Sequence, residues 1–209
     1  MKRSKRSIFY FGTGLNLAVT AILVSTILLV IIPQLQFSNV TQPFSQIWIL
    51  GHKGEAAEYP FNLNVSNSYS CQFFVGVKNN LGQPANYSLR VKICNRTDLL
   101  PSHVDSIPSS VRPIYHFEFH LADDEIWESL VDITIPESAF IHLQRNVLNV
   151  TTITINDLEI SGLNLILTRN TKTHGYPFLI FFELWIYDSN LQEFSYNDRF
   201  VSLWLNLQP

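Results

Sequence analysis

Residues 71–94, CQFFVGVKNNLGQPANYSLRVKIC, decide the fold class because two strand-like runs flank a turn-rich segment. In the second run, apolar residues alternate with polar ones, as Tyr87, Leu89, Val91 and Ile93 against Ser88, Arg90 and Lys92. A period of two is typical of a strand with one buried face. Asn79–Pro84 contains Asn, Gly and Pro, so we expect Cys71–Lys78 and Tyr87–Cys94 to form a β-hairpin around it.

Similar short runs on both sides predict further strands. They are Gln46–Leu50, Ile114–Leu121, Leu130–Ile135, Val150–Ile155, Leu163–Thr168, Phe178–Tyr187 and Arg199–Leu207. Phe178–Tyr187 is apolar on both faces except at Glu183, which indicates a central strand. Helical turns are expected at Ser66–Tyr69 and Pro136–Arg145. The pattern predicts a mainly β chain, folded as an antiparallel immunoglobulin-like β-sandwich.

The first 33 residues differ from the rest. Lys2, Arg3, Lys5 and Arg6 precede a stretch without charged residues from Ile8 to Ile32. As a helix this stretch would be about 37 Å long, enough to cross a bilayer. It predicts a cytoplasmic tail at 1–7, one transmembrane helix at 8–33, a stalk at 34–43 and an extracellular domain at 44–209. The alternative is a cleaved signal peptide, and both place the domain outside.

The charge distribution limits the partners of the outer domain. The chain is 46% apolar and only 15% charged, and all 17 acidic residues come after position 50. With four of the 14 basic residues in the tail, the remainder carries 10 basic and 17 acidic side chains, a balance of −7. Such a domain repels phosphate backbones, so we expect no nucleic acid as a partner. Membrane lipid is expected as a partner only of the N-terminal helix.

The start of the outer domain resembles a known family. PFSQIWILGHKGEAAEYP (43–60), NLNV (62–65) and FVGVKNN (74–80) look like the ectodomain of an archaeal membrane-protein family, domain of unknown function family 1616. The motifs at 127–128, 182–187 and 202–207 resemble it more loosely. The resemblance implies a membrane location and brings no known activity. This chain departs from the family pattern in its single predicted span and in an insertion near 137–174.

The two cysteines, Cys71 and Cys94, leave two alternatives open. They lie at similar distances from the predicted turn, which favours a disulfide in an exported protein. The alternation, however, places them on opposite faces of the predicted hairpin, which favours two free thiols unless a bulge intervenes.

Five Asn-x-Ser/Thr sequons are candidates for N-glycosylation if the domain is exported. They are Asn39, Asn64, Asn86, Asn95 and Asn149. Chance alone would produce some of them in a chain rich in Asn, Ser and Thr.

Two polar clusters are weaker candidates for metal binding. His116, Glu118 and His120 share one strand face, but the histidines would lie about 13 Å apart, too far for one ion. The acidic cluster Asp123, Asp124, Glu125 and Glu128 lacks the spacing of a calcium loop. We interpret both as solvated surface. The sequence contains no catalytic or nucleotide-binding motif, so it predicts no catalytic, cofactor or metal residues and no enzyme.

The aromatic residues suggest a partner surface. Candidates are Trp48, Phe181, Trp185, Tyr187 and Trp204. The first hypothesis is therefore a non-enzymatic cell-surface protein whose sandwich binds an envelope protein or a glycan. The second is an accessory subunit of a membrane complex, packing through the helix stripe Gly14, Ala18, Ala21 and Ser25. The third is a surface hydrolase or metal-dependent enzyme, which would need a pocket with converging His and carboxylate groups.

Overall fold

A computed structural model describes residues 43–102 and 104–209, and this part of the chain contains eleven strands. They are β1 Phe44–Leu50, β2 Asn62–Asn64, β3 Ser70–Asn80, β4 Ala85–Cys94, β5 Tyr115–Leu121, β6 Ile126–Thr134, β7 Phe140–Gln144, β8 Val147–Ile155, β9 Leu158–Thr168, β10 Tyr176–Asp188 and β11 Glu193–Gln208. Within those ranges no helix is long and apolar enough to cross a membrane. The predicted tail, transmembrane helix with its small-residue stripe, Asn39 and all but the last stalk residue lie outside the described residues.

The strands form two sheets, which confirms the mainly β sandwich. The first sheet has the order β1-β3-β6-β8-β7, and β9 also pairs with β8. The second has the order β2-β11-β10-β4-β5. Among these strands the pairing is antiparallel except between β2 and β11, which run parallel. The chain therefore departs from a purely antiparallel arrangement at one short edge strand.

The core lies between the two sheets and is filled by the alternating residues of both. Phe73, Val75 and Val77 of β3 are fully buried. So are the residues predicted to point inward from β4, with Ile93 at its end 7% exposed. On one side the sheets meet through Trp127 of β6, which stacks on Phe119 of β5 with ring centroids 4.1 Å apart. Burial alternates residue by residue in β5, whereas the prediction of one buried face for β4 is wrong, because its outward Ser88, Lys92 and Cys94 are buried as well.

The predicted hairpin at 71–94 is wrong. β3 pairs with β1 and β6 in the first sheet, whereas β4 pairs with β10 and β5 in the second. The segment between them crosses from one sheet to the other as an arch. Turn residues and a period of two are compatible with both connections, and the difference lies in which other strands of the chain pair with each arm.

Asn79 stabilises this arch from a fully buried position. Its Nδ2 donates to the carbonyls of Gln83, Leu121 and Ala122, while its Oδ1 accepts from the amide of Leu81 and the hydroxyl of Tyr87. Leu121 ends β5 and Ala122 begins the β5–β6 connection, which also crosses between the sheets. One amide side chain thus joins two neighbouring crossings at the same end of the sandwich.

β10 is the central strand of the second sheet, as predicted, and it forms a true hairpin with β11. A register shift in this pair lies at Leu184/Trp185. The region 137–174, expected as an insertion, contributes β7, β8 and β9 to the first sheet. Its start was predicted as a helical turn over Pro136–Arg145, but only Glu137–Ala139 forms a 3-10 turn before β7 begins. The other predicted turn is present as the 3-10 turn Val65–Asn67.

Cys71 and Cys94 are free thiols in the structure, and the disulfide is not formed. Cys71 belongs to the core between the sheets, whereas Cys94 packs with Leu179 and Phe181 on the opposite side of the second sheet. The alternation of the sequence, which predicted that the two cysteines point to opposite faces, therefore agrees with the structure. The two side chains lie on different faces of different sheets.

We expect a water-soluble disulfide reagent to label neither thiol in the folded full-length chain and both after unfolding in denaturant without reductant. The two side chains are 8% and 3% exposed, and burial, with a smaller effect from Asp132, raises the pKa of Cys71 to about 12. A buried protonated thiol is a poor nucleophile. Spectroscopic counting of released thiolate measures the result, and no labelling after unfolding would instead indicate a disulfide.

Candidate functional site

The strongest candidate surface is the outer face of the second sheet, the face turned away from the core. This face is formed largely by β10. Because Phe178, Ile180 and Phe182 of that strand point into the core, the residues between them point outward. These outward residues of β10 are Leu179, Phe181, Glu183, Trp185 and Tyr187. The face is too apolar to be ordinary solvated surface, and the structure divides it into a covered half and an open half.

The segment between β4 and β5 covers one half. Leu99, Leu100 and Val111 pack on Leu179 and Phe181, which are 1% and 0% exposed. We call residues 95–113 the cover segment; its residue 103 is outside the described ranges. The cover explains why β10 is apolar on both faces, since both are buried over this part of the strand.

A buried ion pair lies at the margin of the cover segment. Lys92 of β4 and Glu183 of β10 are 2% and 0% exposed, and Lys92 Nζ lies 2.7 Å from Glu183 Oε2. Ser109 of the cover segment completes the arrangement, because its amide donates to Glu183 Oε1 and its carbonyl accepts from Lys92 Nζ. The charges are thus satisfied jointly by two strands and the segment above them.

The same carboxylate orients the first residues of the open half. Trp185 Nε1 donates to Glu183 Oε2 at 3.1 Å, and the guanidinium carbon of Arg90 lies 3.6 Å from the centroid of the Trp185 ring. Burial lowers the pKa of Arg90, while Glu183 and Glu118 act in the opposite direction. This cation–π contact and the hydrogen bond to Glu183 fix the position of the indole.

Beyond Trp185, the open half contains a shallow cavity of about 290 Å³. Asn86, Glu118, Tyr187 and Phe194 line it, together with the edges of Tyr87 and Phe119. Tyr187 and Phe194 form an edge-to-face pair with centroids 5.5 Å apart, and Tyr187 is 40% exposed. The cavity therefore combines exposed aromatic surface with an amide and a carboxylate.

Tyr196 closes the site on the β11 side. Its ring lies 5.9 Å from that of Trp185. Within the described chain its hydroxyl is enclosed and has no hydrogen-bond partner. Burial, with contributions from Glu183 and Asp198, raises the pKa of this phenol, so the hydroxyl stays protonated and able to donate.

The structure separates the five aromatics predicted as a partner surface. Trp185 and Tyr187 lie in the open half, while Trp204 is 40% exposed further along the same face. Phe181 is fully buried, so its assignment to a partner surface is wrong; the cover segment occupies that position. Trp48 lies across Gly76 on the first sheet, where its Nε1 donates to Glu128.

Sequence reasoning did not identify Asn86, Arg90, Phe194 and Tyr196 as site residues. Arg90 was seen only as part of a polar strand face, and Asn86 only as a sequon. Phe194 and Tyr196 fall before the predicted start of the last strand, which in fact begins at Glu193. Their alternation in the sequence EFSYN was the available signal.

The polar clusters are placed on solvated surface or in turns. His116, Glu118 and His120 are exposed, and His120 Nδ1 lies 2.9 Å from Asn86 Oδ1. In the acidic cluster, Asp123 accepts from the amide of Gly82 and Asp124 pairs with Lys78, whereas Glu128 on β6 accepts from Trp48. In the part of the chain that is described, no group of three His, Cys, Asp or Glu side chains could hold a metal ion.

Four sequons fall within the described residues. Asn86 and Asn95 are exposed, although Asn95 Nδ2 donates to the carbonyl of Ile166. Asn64 is half-buried and accepts from Ser66. Asn149 lies in β8 between two neighbouring strands, and its Oδ1 is enclosed, so modification there would require local opening of the sheet. Glycosylation stays a prediction at each position.

Comparison with known proteins shows only distant likeness. No family model matches the chain, and no curated protein matches it. Among solved structures, it is similar to the CARDB domain of a Pyrococcus furiosus protein in complex with di-metal ions, at 12% identity and a TM-score of 0.39, over 80% of this chain and 90% of that one. It is also similar to part of a Listeria innocua β-glucosidase, solved with isofagomine, at 9% identity and a TM-score of 0.41.

These likenesses carry no functional argument. The match covers 80% of this chain but only 16% of the β-glucosidase, so it concerns a minor part of that enzyme. The resemblance of the 43–80 region to family 1616 stays a prediction.

Proposed function

We propose that this protein is a non-enzymatic, single-pass membrane protein of the cell surface, and that its immunoglobulin-like sandwich binds a neutral glycan. The N-terminus would be cytoplasmic and the sandwich extracellular. The observation that carries the binding proposal is the cavity on the open half of the second sheet, where Tyr187 and Phe194 lie beside Asn86 and Glu118.

The chemistry of the cavity suits a sugar ring. A pyranose presents apolar C–H groups on its faces and hydroxyls around its rim, so it is matched by an aromatic surface with a few polar groups beside it. Tyr187 and Phe194 supply the aromatic surface, and Asn86 and Glu118 supply donors and acceptors. The volume of about 290 Å³ is enough for about one sugar unit.

The charge of the domain favours a neutral ligand. Residues after the basic tail carry a balance of −7, as 10 basic against 17 acidic side chains. Glu118 itself lies in the cavity and is unfavourable for a carboxylated or sulfated sugar bound there. We therefore assign the cavity to uncharged hexose or pentose units.

Trp185, two residues before Tyr187 on the same strand, is held in place before a ligand arrives. Glu183 fixes the Trp185 indole by a hydrogen bond, and Arg90 packs over its ring. A preformed aromatic surface loses little side-chain entropy on binding, which matters for weak ligands such as sugars.

Binding of neutral oligosaccharides to the full-length chain in mild detergent tests this proposal. We expect saturable binding by calorimetry, weakened at least tenfold by Tyr187→Ala and also weakened by Glu118→Gln. Trp204→Ala is the matched control, since Trp204 is equally exposed at 40% on the same face but does not line the cavity. Equal loss in the control, or no binding to any neutral glycan, would refute the proposal.

A further inference from the structure

A second candidate site lies outside the glycan surface, on two neighbouring loops. One is the β7–β8 turn at Arg145 and Asn146, and the other is the β9–β10 connection, residues 169–175. The amide of Arg169 donates to the carbonyl of Asn146 at 2.9 Å, which joins the loops directly. Together they enclose a cavity of about 260 Å³ lined by Asn146, Arg169, Thr171 and His174.

The longer loop is held in place by hydrogen bonds within itself and by others from β11. Asn170 Oδ1 accepts from the amide of Lys172, and the Asn170 amide donates to the carbonyl of Gly175. From below, Asn206, which is fully buried, and Gln208 both donate to the carbonyl of Thr173. Three of the lining side chains, those of Arg169, Thr171 and His174, thus project from a braced loop.

The charge of these loops is opposite to that of the domain. Arg145, Arg169 and Lys172 are exposed, and in the described part of the chain none of them forms an ion pair. The acidic residues of the β8–β9 hairpin itself, Asp157 and Glu159, lie at its other end. At about 3.3 Å per residue the two ends are roughly 30 Å apart, well beyond the screening length of physiological salt.

We infer that these two loops form a binding site for a phosphate or sulfate group. The cavity is lined by a guanidinium, an imidazole, a hydroxyl and an amide, with Arg145 and Lys172 on the same two loops. An arginine fork that is not occupied by a carboxylate of the protein matches the oxygens of a tetrahedral oxyanion. The site is independent of the glycan surface and takes a ligand of opposite chemistry.

Titration of the full-length chain with inorganic phosphate and with sulfate tests the inference. We expect saturable binding that falls at least tenfold in Arg169→Gln and weakens further when Lys172→Gln is added. Arg112→Gln is the matched control, because it removes an exposed arginine from a different loop. Because no neutral sugar is used, the outcome is separate from that of the glycan proposal.

Two further arms identify the source of the anionic group. Binding of a sulfated oligosaccharide, lost in Arg169→Gln, would support the site and assign it to an acidic glycan. Binding to vesicles containing phosphatidylglycerol, lost in the same variant, would support it and assign it to a lipid headgroup. The inference is overturned if none of the four probes binds, or if the variant and the Arg112→Gln control bind as the unchanged chain does.

Discussion

Replacing Glu183 with Gln should lower the free energy of unfolding by about 3–5 kcal/mol, as expected when one partner of a buried ion pair is removed. The change keeps the shape of the side chain but removes the counter-charge of the buried Lys92 ammonium, and the new amide NH2 must face either the Lys92 and Trp185 donors or the amide of Ser109. Burying a charge without a counter-charge is costly because the low-dielectric interior cannot replace its hydration. Denaturant unfolding of the full-length chain, followed by tryptophan fluorescence, measures the loss.

The matched control is Glu118→Gln, the same chemical change at an exposed carboxylate on β5 of the same sheet. We expect it to change stability by less than about 0.5 kcal/mol, as is usual at the surface. If Glu183→Gln cost no more than this control, the buried pair would not be formed in solution.

A double variant separates the net contribution of the ion pair to stability from the cost of leaving one buried charge unpaired. Lys92→Met combined with Glu183→Leu replaces both charges by apolar groups of similar size, which is often neutral or stabilising. We expect the double variant to be more stable than either single one, so that the effects are strongly non-additive. It should also loosen the cover segment, because the Ser109 amide loses its acceptor, and hydrogen exchange at Ser109 would report this.

Replacing Asn79 with Ala should cost about 3–4 kcal/mol, because several buried hydrogen bonds are lost together and each orphaned group costs about 1 kcal/mol or more. The carbonyls of Gln83, Leu121 and Ala122 would lose a donor. The hydroxyl of Tyr87 would keep only Ser45, at 2.9 Å. In a domain of this size we expect the melting temperature to fall by roughly 10 °C.

Asn80→Ala provides the neighbouring control. Asn80 is half-buried, and its Nδ2 has no hydrogen-bond partner among the described residues. Removing an unsatisfied amide should be close to neutral. Asn79→Asp is a stricter variant, since it keeps the acceptor but cannot donate to three carbonyls; it should be as destabilising as Ala. Similar melting temperatures for all three variants would mean that Asn79 does not hold the arch.

Much of the local structure follows directly from the residues. The inward positions of β3, β4 and β5 could be predicted because a period of two places alternate side chains on one face, whatever the strand pairs with. The central position of β10 was likewise predictable, since a strand that is apolar on both faces is typical of the covered middle of a sheet. Part of the candidate site followed too, because Trp185 and Tyr187 lie on that strand.

The amino-acid sequence by itself thus determined that the chain is mainly β, which residues face the core, and which strand is central. Tertiary structure alone decided that residues 71–94 form an arch rather than a hairpin, and that Phe181 is covered whereas Tyr187 is open. The physical reason is that side-chain alternation is a local property of one strand, whereas pairing and covering depend on segments distant in sequence. The arch forms because β3 pairs with β1 and β6 while β4 pairs with β10, and Phe181 is buried because the cover segment packs on it. The pattern within residues 71–94 does not specify these partners.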